Sequence, residues 1–213
     1  MQDVAVVTKI YIVRHGETHG NASGIVTGHF DSPLNVEGES QASILAEELR
    51  TIKFDMVFSS DLMRARRTAE IIALDRKLAL NTTQLLRERN FGDWEGRPKE
   101  EVLQENQHLF EKLKTFSETE KRNFKFNQGY ESEAQIYQRF MRFLREIAVA
   151  YLGKIVLVVC HGSMMRSLLM HLGFANYDEL PPGSITNTGY FILESDGVDF
   201  FVKETKGVNK HNI

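Results

Sequence analysis

The residues best suited to chemistry in this chain fall in four short clusters. The first is Arg14-His15-Gly16-Glu17-Thr18, with Asn21 close behind. It sets a planar fork of guanidinium donors beside an imidazole that can act as a nucleophile. Gly16, Gly20 and Gly24 keep the backbone open, so that amide groups can approach an anion. The second cluster, Ser59 to Ala69, holds Arg64 in the first turn of an expected helix, where it can join backbone donors around a phosphate. Arg66 and Arg67 read as solvated, because three close arginines cannot all face one small ligand. The third, Leu86 to Gly96, carries Trp94 and several carboxylates, Glu88 among them. A carboxyl shielded by aromatic rings suits general acid work. The fourth, Val159-Cys160-His161-Gly162-Ser163, sets a second histidine at the end of an apolar run.

Taken singly, each cluster has a plain structural explanation: a surface ion pair, a solvated helix, a tight loop, a sheet-capping histidine. Their positions change that. Ile10-Tyr11-Ile12-Val13, Met56-Val57-Phe58 and Ile155 to Val159 read as buried strands, apolar on both faces and so central in a parallel sheet. Between them, Gly38 to Arg50 puts Ala42, Leu45 and Leu49 on one helical stripe. Asp61 is the expected N-cap of a helix running to about Ala73. Ile136, Phe140, Phe143, Leu144, Ile147 and Tyr151 trace another helix, ended by Gly153. Tyr190 to Leu193 and Phe200 to Val202 read as a strand pair around Asp196-Gly197. The expected fold is α/β, a three-layer sandwich with a mostly parallel central sheet flanked by helices. In such sheets ligands bind just beyond the carboxyl ends of the strands, where the two histidines, Arg64 and the Glu88 carboxylate are all expected to lie.

One domain over 1–213 is expected, with a charged helical insertion at about 97–131 whose opposite charges nearly cancel. The insertion reads either as a lid or as a peripheral helix pair. With 42% hydrophobic and 26% charged residues, the chain has an ordinary globular composition. A net charge of −3 offers no field to attract nucleic acid or an anionic membrane. Cys160 is the one cysteine, which excludes an intrachain disulfide and points to the cytoplasm. Met1-Gln2-Asp3 lacks the basic start of a secretory signal. Exposed Phe200 and Phe201 are candidates for an edge contact, and the oligomeric state is open.

In order and nearly throughout, these motifs resemble the histidine phosphatase superfamily, the phosphoglycerate mutase-like family. The carriers are Arg14 to Thr18 with Asn21, the segment Thr27-Gly28-His29-Phe30-Asp31-Ser32-Pro33-Leu34-Asn35, Ser59 to Ala69, Glu88, and His161-Gly162. Asn35 stands where many members have threonine. The resemblance implies a phosphohistidine intermediate on His15, with Arg14, Arg64 and His161 holding the phosphoryl oxygens. It also implies neutral donors from Asn21, Thr27, Gly28 and Gly162, and Glu88 as general acid and base, starting protonated. No cofactor and no metal are expected, since the arginines supply the positive charge. The competing metal reading, His15 and His19 on one helical face, is weak because Gly16 and Gly20 flank a strand end. Cys160 is expected to be a buried, inert thiol. Phe91 to Gly96 is similar to the phosphatase branch, which favours hydrolysis of a small phosphate ester over a mutase reaction. A silent phosphate-binding module is disfavoured because no expected residue is missing.

Overall fold

The computed structural model describes residues 6–211, so the Met1-Gln2-Asp3 start lies outside the described residues. The chain begins with β1 (Thr8–Arg14), a one-turn helix α1 (His19–Ala22) and α2 (Val36–Glu48). It continues through β2 (Met56–Ser60), α3 (Met63–Ala73) and a short strand β3 (Leu80–Thr83). Three small helices follow, α4 (Lys99–Glu105), α5 (Gln107–Lys114) and α6 (Glu118–Asn123). The last part comprises α7 (Glu133–Ala150), β4 (Ile155–Cys160), α8 (Gly162–His171), β5 (Ile185–Ser195) and β6 (Phe200–Val208).

One sheet runs in the order β3-β2-β4-β1-β5-β6. The first four strands are mutually parallel, and β5 and β6 extend the sheet antiparallel. Side-chain alternation decides what each face buries. Ile10, Ile12, Val156, Val158 and Cys160 point toward α7 and α8. Tyr11, Val13, Leu157 and Val159 point toward α2 and α3. Both faces are therefore covered, and the three-layer α/β reading holds. Cys160 is fully buried, and burial pushes its thiol up, away from reactive thiolate. No helix among the described residues is long and apolar enough to cross a membrane.

Several local expectations need correction. Asp61 does not cap α3; Leu62 occupies the N-cap position and offers no side-chain bond. The Asp61 carboxylate instead takes Arg87 in a two-pronged pair at 2.8 and 2.7 Å. Asp31 supplies the missing acceptor from a distant loop, taking the Met63 amide at 2.6 Å. The helix expected from Gly38 starts at Val36 because Asn35 caps it, accepting from the Gly38 amide at 2.8 Å. Strand β3 was not expected; with only Leu80 strongly apolar, it is an edge strand recruited by pairing with β2. The terminal strands are longer than their apolar cores, because an antiparallel pair extends through half-exposed residues. Phe200 packs against the core, whereas Phe201 stays exposed. The segment 97–131, expected as a lid or a peripheral helix pair, forms three short helices.

Backbone contact fixes the loop after β1. A Cβ built at Gly16 would lie 2.4 Å from the Gly38 carbonyl oxygen, and one at Gly38 would lie 2.0 Å from that of Glu17. Only glycine at both places lets the loop press onto the start of α2.

Candidate active site

Register brings the two histidines together. Arg14 pairs with Cys160 across β1 and β4, and the His15 amide donates to the Cys160 carbonyl at 3.1 Å. His15 and His161, next along each chain, end with ring centroids 5.1 Å apart. Both are buried. His15 Nδ1 lies 2.7 Å from the Gly16 carbonyl oxygen, which only a protonated Nδ1 can satisfy. The Nε2 lone pair is thereby left for attack. Burial, then the Arg64 and Arg14 charges, hold His15 well below the usual histidine range. Burial and Arg64 do the same to His161. Both rings are neutral at pH 7.

Arg64 is fully buried, and its terminal nitrogens are held by one loop. Nη2 donates to the Gly28 carbonyl at 2.6 Å; Nη1 donates to the Phe30 carbonyl at 3.4 Å and to Asp31 Oδ1 at 3.2 Å. Arg14 donates from Nη1 to the Ile185 carbonyl at 2.5 Å. Gly162 lets Arg14 pass close, since a Cβ there would sit 3.3 Å from Arg14 Nε. Among the described residues, Nε of both arginines is buried and lacks an acceptor, and the two ring nitrogens of His161 are also unpartnered. Burying donors without acceptors costs on the order of 1–3 kcal/mol each. Arg14 Nε, Arg64 Nε and the single N–H of the neutral His161 ring are three such donors, and beside His15 they mark a seat for an anion.

Glu88 lies at the rim of this pocket, its Oε1 accepting the Arg89 amide at 2.7 Å and its Oε2 the Ser163 amide at 3.1 Å. The first turn of α8 thus holds this carboxyl through the Ser163 amide. Asn21 caps α1 reciprocally with Thr18, and its Oδ1 accepts from Asn187 Nδ2 at 3.4 Å. Thr27 is half-buried, with its methyl against Gly20. The Gly28 carbonyl accepts from Arg64 Nη2. His19 is exposed on α1, whereas His15 precedes that helix, so the two share no helical face. Arg66 and Arg67 are solvated and pair with Glu70 and Glu39.

Sequence reasoning missed several supports. Asn187 Nδ2 donates to the His15 carbonyl at 3.0 Å, and the Thr188 amide reaches the same oxygen at 3.4 Å. Thr188 does so at φ 55°, a left-handed conformation that marks local strain. The signal was the polar run Thr186-Asn187-Thr188-Gly189 interrupting a strand. Glu95 ties two loops together, taking the amides of His29, Phe30 and Phe91 at 2.9, 2.6 and 2.9 Å.

A doubly wound α/β sheet with paired neutral imidazoles and buried unpaired arginine nitrogens at its carboxyl edge defines a phosphoryl-binding enzyme. The sequence model of the histidine phosphatase superfamily (branch 1) matches residues 10–206, and the chain belongs to that family. It is 40% identical over 163 residues to phosphoglycerate mutase-like protein 4 of Arabidopsis thaliana, covering 75% of this chain and 69% of the relative. It is 32% identical to the adenosylcobalamin/alpha-ribazole phosphatase of Escherichia coli, covering 77% and 78%. The solved structure of Bacillus stearothermophilus YhfR superposes with a TM-score of 0.80 at 28% identity, covering 92% of this chain and 95% of that one.

Proposed function

We propose that the chain is a metal-independent phosphomonoester hydrolase acting on a small phosphorylated metabolite through a phosphohistidine. The observation that carries this reading is the neutral His15 imidazole, Nε2 free, beside the unpaired Nε atoms of Arg14 and Arg64. His15 Nε2 attacks phosphorus and the ester P–O bond breaks. Glu88 gives its proton to the departing alkoxide. Its carboxylate then takes a proton from water, the hydroxyl oxygen attacks phosphorus, and the P–N bond breaks to release phosphate and free His15. Splitting one displacement into two lets each step use a placed nucleophile. Arg14, Arg64 and His161 supply fixed donors as charge redistributes over the phosphoryl oxygens. Asn21, Thr27, Gly28 and Gly162 shape this seat.

The segment 97–131 is read as an insertion forming the mouth of the site. A cytoplasmic location fits the single buried cysteine. The test is a panel of phosphomonoesters assayed with chelator present, with and without a bisphosphoglycerate primer. Phosphate release from several esters, lost in His15→Ala together with an acid-labile phosphoenzyme, supports the proposal. Isomerisation of a phosphoglycerate without phosphate release would assign a mutase instead.

A further inference from the structure

Two cavities meet beside the candidate catalytic groups. The inner one, about 190 Å³, reaches from Arg14, Glu88 and Gly162 to Arg89, Tyr130 and Arg166. The outer one, about 580 Å³, begins at Arg89, Tyr130 and Arg166 and extends into the segment 97–131. Its far wall is largely apolar, with Phe110, Leu113, Phe124 and Phe126 from the insertion. Phe110 and Phe124 each set a ring within 5 Å of Phe126, at 4.8 and 4.9 Å between centroids. Inner space alone suits a phosphoryl group and a few further atoms. With the outer cavity, the volume is that of pockets for ligands of roughly 300–1,000 Å³.

The junction is cationic. Arg89 is neutralised there, bonded to Glu133 Oε2 at 2.5 Å and to the Tyr130 hydroxyl at 3.3 Å. Arg166 is not. Its Nε donates to the Leu180 carbonyl, and its terminal nitrogens have no acceptor among the described residues. No carboxylate forms an ion pair with Arg166 among them. Among the described residues lining the inner cavity, Arg14, Arg89 and Arg166 face Glu88 as the one carboxylate. The Tyr177 hydroxyl, in the wall of the outer cavity, has no hydrogen-bond partner among the described residues.

From this juxtaposition we infer that the leaving group carries a second anionic group, a carboxylate or a second phosphate, which pairs with Arg166, and beyond it an aromatic ring seated against Phe110, Phe124 and Phe126. The inference rests on the phosphatase reading and specifies its substrate class: an anionic aromatic phosphomonoester. A carboxylate or phosphate oxygen accepts from a guanidinium in the same planar geometry, so one residue can serve either. The aromatic wall supplies apolar area and edge-to-face or offset contacts to a ring.

The experiment compares kcat/KM for the 3- and 4-carboxyphenyl phosphates with their methyl esters, which keep the ring but lack the charge. The ester withdraws electrons more than a carboxylate and is the better leaving group, so an excess for the acid reports the charge. The best acid is expected to exceed its methyl ester at least about tenfold, the scale of one charge-assisted hydrogen bond. Phosphoserine, anionic without a ring, is expected to fall below the best acid, and Phe124→Ala to narrow that gap. Arg166→Gln is expected to collapse the acid-to-ester ratio toward one, and Arg166→Lys to restore part of it. Adenosine 3′,5′-bisphosphate, assayed alongside, tells a second phosphate from a carboxylate. An acid-to-ester ratio near one in the unaltered protein overturns the inference, and this arm needs no variant to fold. Phosphate release from neutral esters in that same case leaves the phosphatase reading standing. No release from any ester, p-nitrophenyl phosphate included, overturns both.

Discussion

Arg139 reaches from α7 to the main chain of Glu88, donating from Nη2 to its carbonyl oxygen at 3.3 Å. The same guanidinium donates to the carbonyls of Leu85 and Arg87 at 2.9 and 2.7 Å, and both its Nε and Nη2 are held by Glu131 at 2.9 and 2.8 Å. His29 Nε2 meets the Glu88 carbonyl from the other side at 2.9 Å. Arg139 is thus a positioning residue for the proposed acid, touching no reacting atom. Arg139→Met is expected to lower kcat for alkyl phosphates by about 10²-fold, the scale of lost general acid catalysis. For p-nitrophenyl phosphate, whose leaving group needs little protonation, the loss should be several-fold at most. Steady-state kinetics on the two esters checks this. Equal losses on both would show a damaged fold instead of a displaced acid.

The buried histidines make stability depend on pH in a defined direction. His15 and His161 both have pKa values lowered well below the ordinary 6.5, so between those values and 6.5 the unfolded chain binds more protons than the native one. Stability then falls as pH drops through that window and is insensitive to these groups above it. Thermal unfolding followed from pH 7.5 to 5 should show Tm declining below about 6.5. His161→Gln should flatten that slope. A Tm that rises on acidification from 6.5 would contradict the neutral pair.

Gly28 is a sensitive point of the proposed phosphate seat. Its φ is 53°, and a Cβ there would lie 2.1 Å from Glu95 Oε1. Gly28→Ala combines a left-handed strain of roughly 1–2 kcal/mol with displacement of the Glu95 carboxylate. It is expected to lower Tm and to weaken phosphate binding, because the Gly28 carbonyl anchors Arg64. Calorimetric unfolding and phosphate titration measure the two effects separately.

Orthovanadate, an anion able to become five-coordinate, should engage the unpaired nitrogens of Arg14, Arg64 and His161. At about 100 times its Kd, a ligand of the native state alone stabilises it by about 2.7 kcal/mol. Vanadate is expected to raise Tm in the presence of chelator and to inhibit competitively. His15→Ala should reduce the shift. Stabilisation that appears only when a divalent metal is added would argue against an arginine-built site.

The fold was legible where burial leaves a two-sided apolar run. β1, β2 and β4 were read from such runs, and their carboxyl ends led to His15, Arg64 and His161. β3 was not readable because its residues alternate weakly and its pairing, not its composition, makes it a strand. The supports of the site were hidden for a related reason. Arg139, Asn187 and Asp31 act through partners 51, 172 and 33 residues away, and no local pattern announces such pairs. Asp61 misled because its side chain suits a cap, yet a bidentate arginine outcompeted the helix start for it. Glu88 was placed by resemblance, since its neighbours alone describe an ordinary loop.

The unpaired Nε atoms of Arg14 and Arg64 have a kinetic consequence. Donors left unsatisfied at rest bind whatever tetrahedral anion arrives, and the last such anion of each cycle is free phosphate. The contacts that favour attack also favour retention of the product. On the proposed phosphatase reading, phosphate departure is expected to bound turnover whenever the chemical steps are fast, and free phosphate to slow the enzyme.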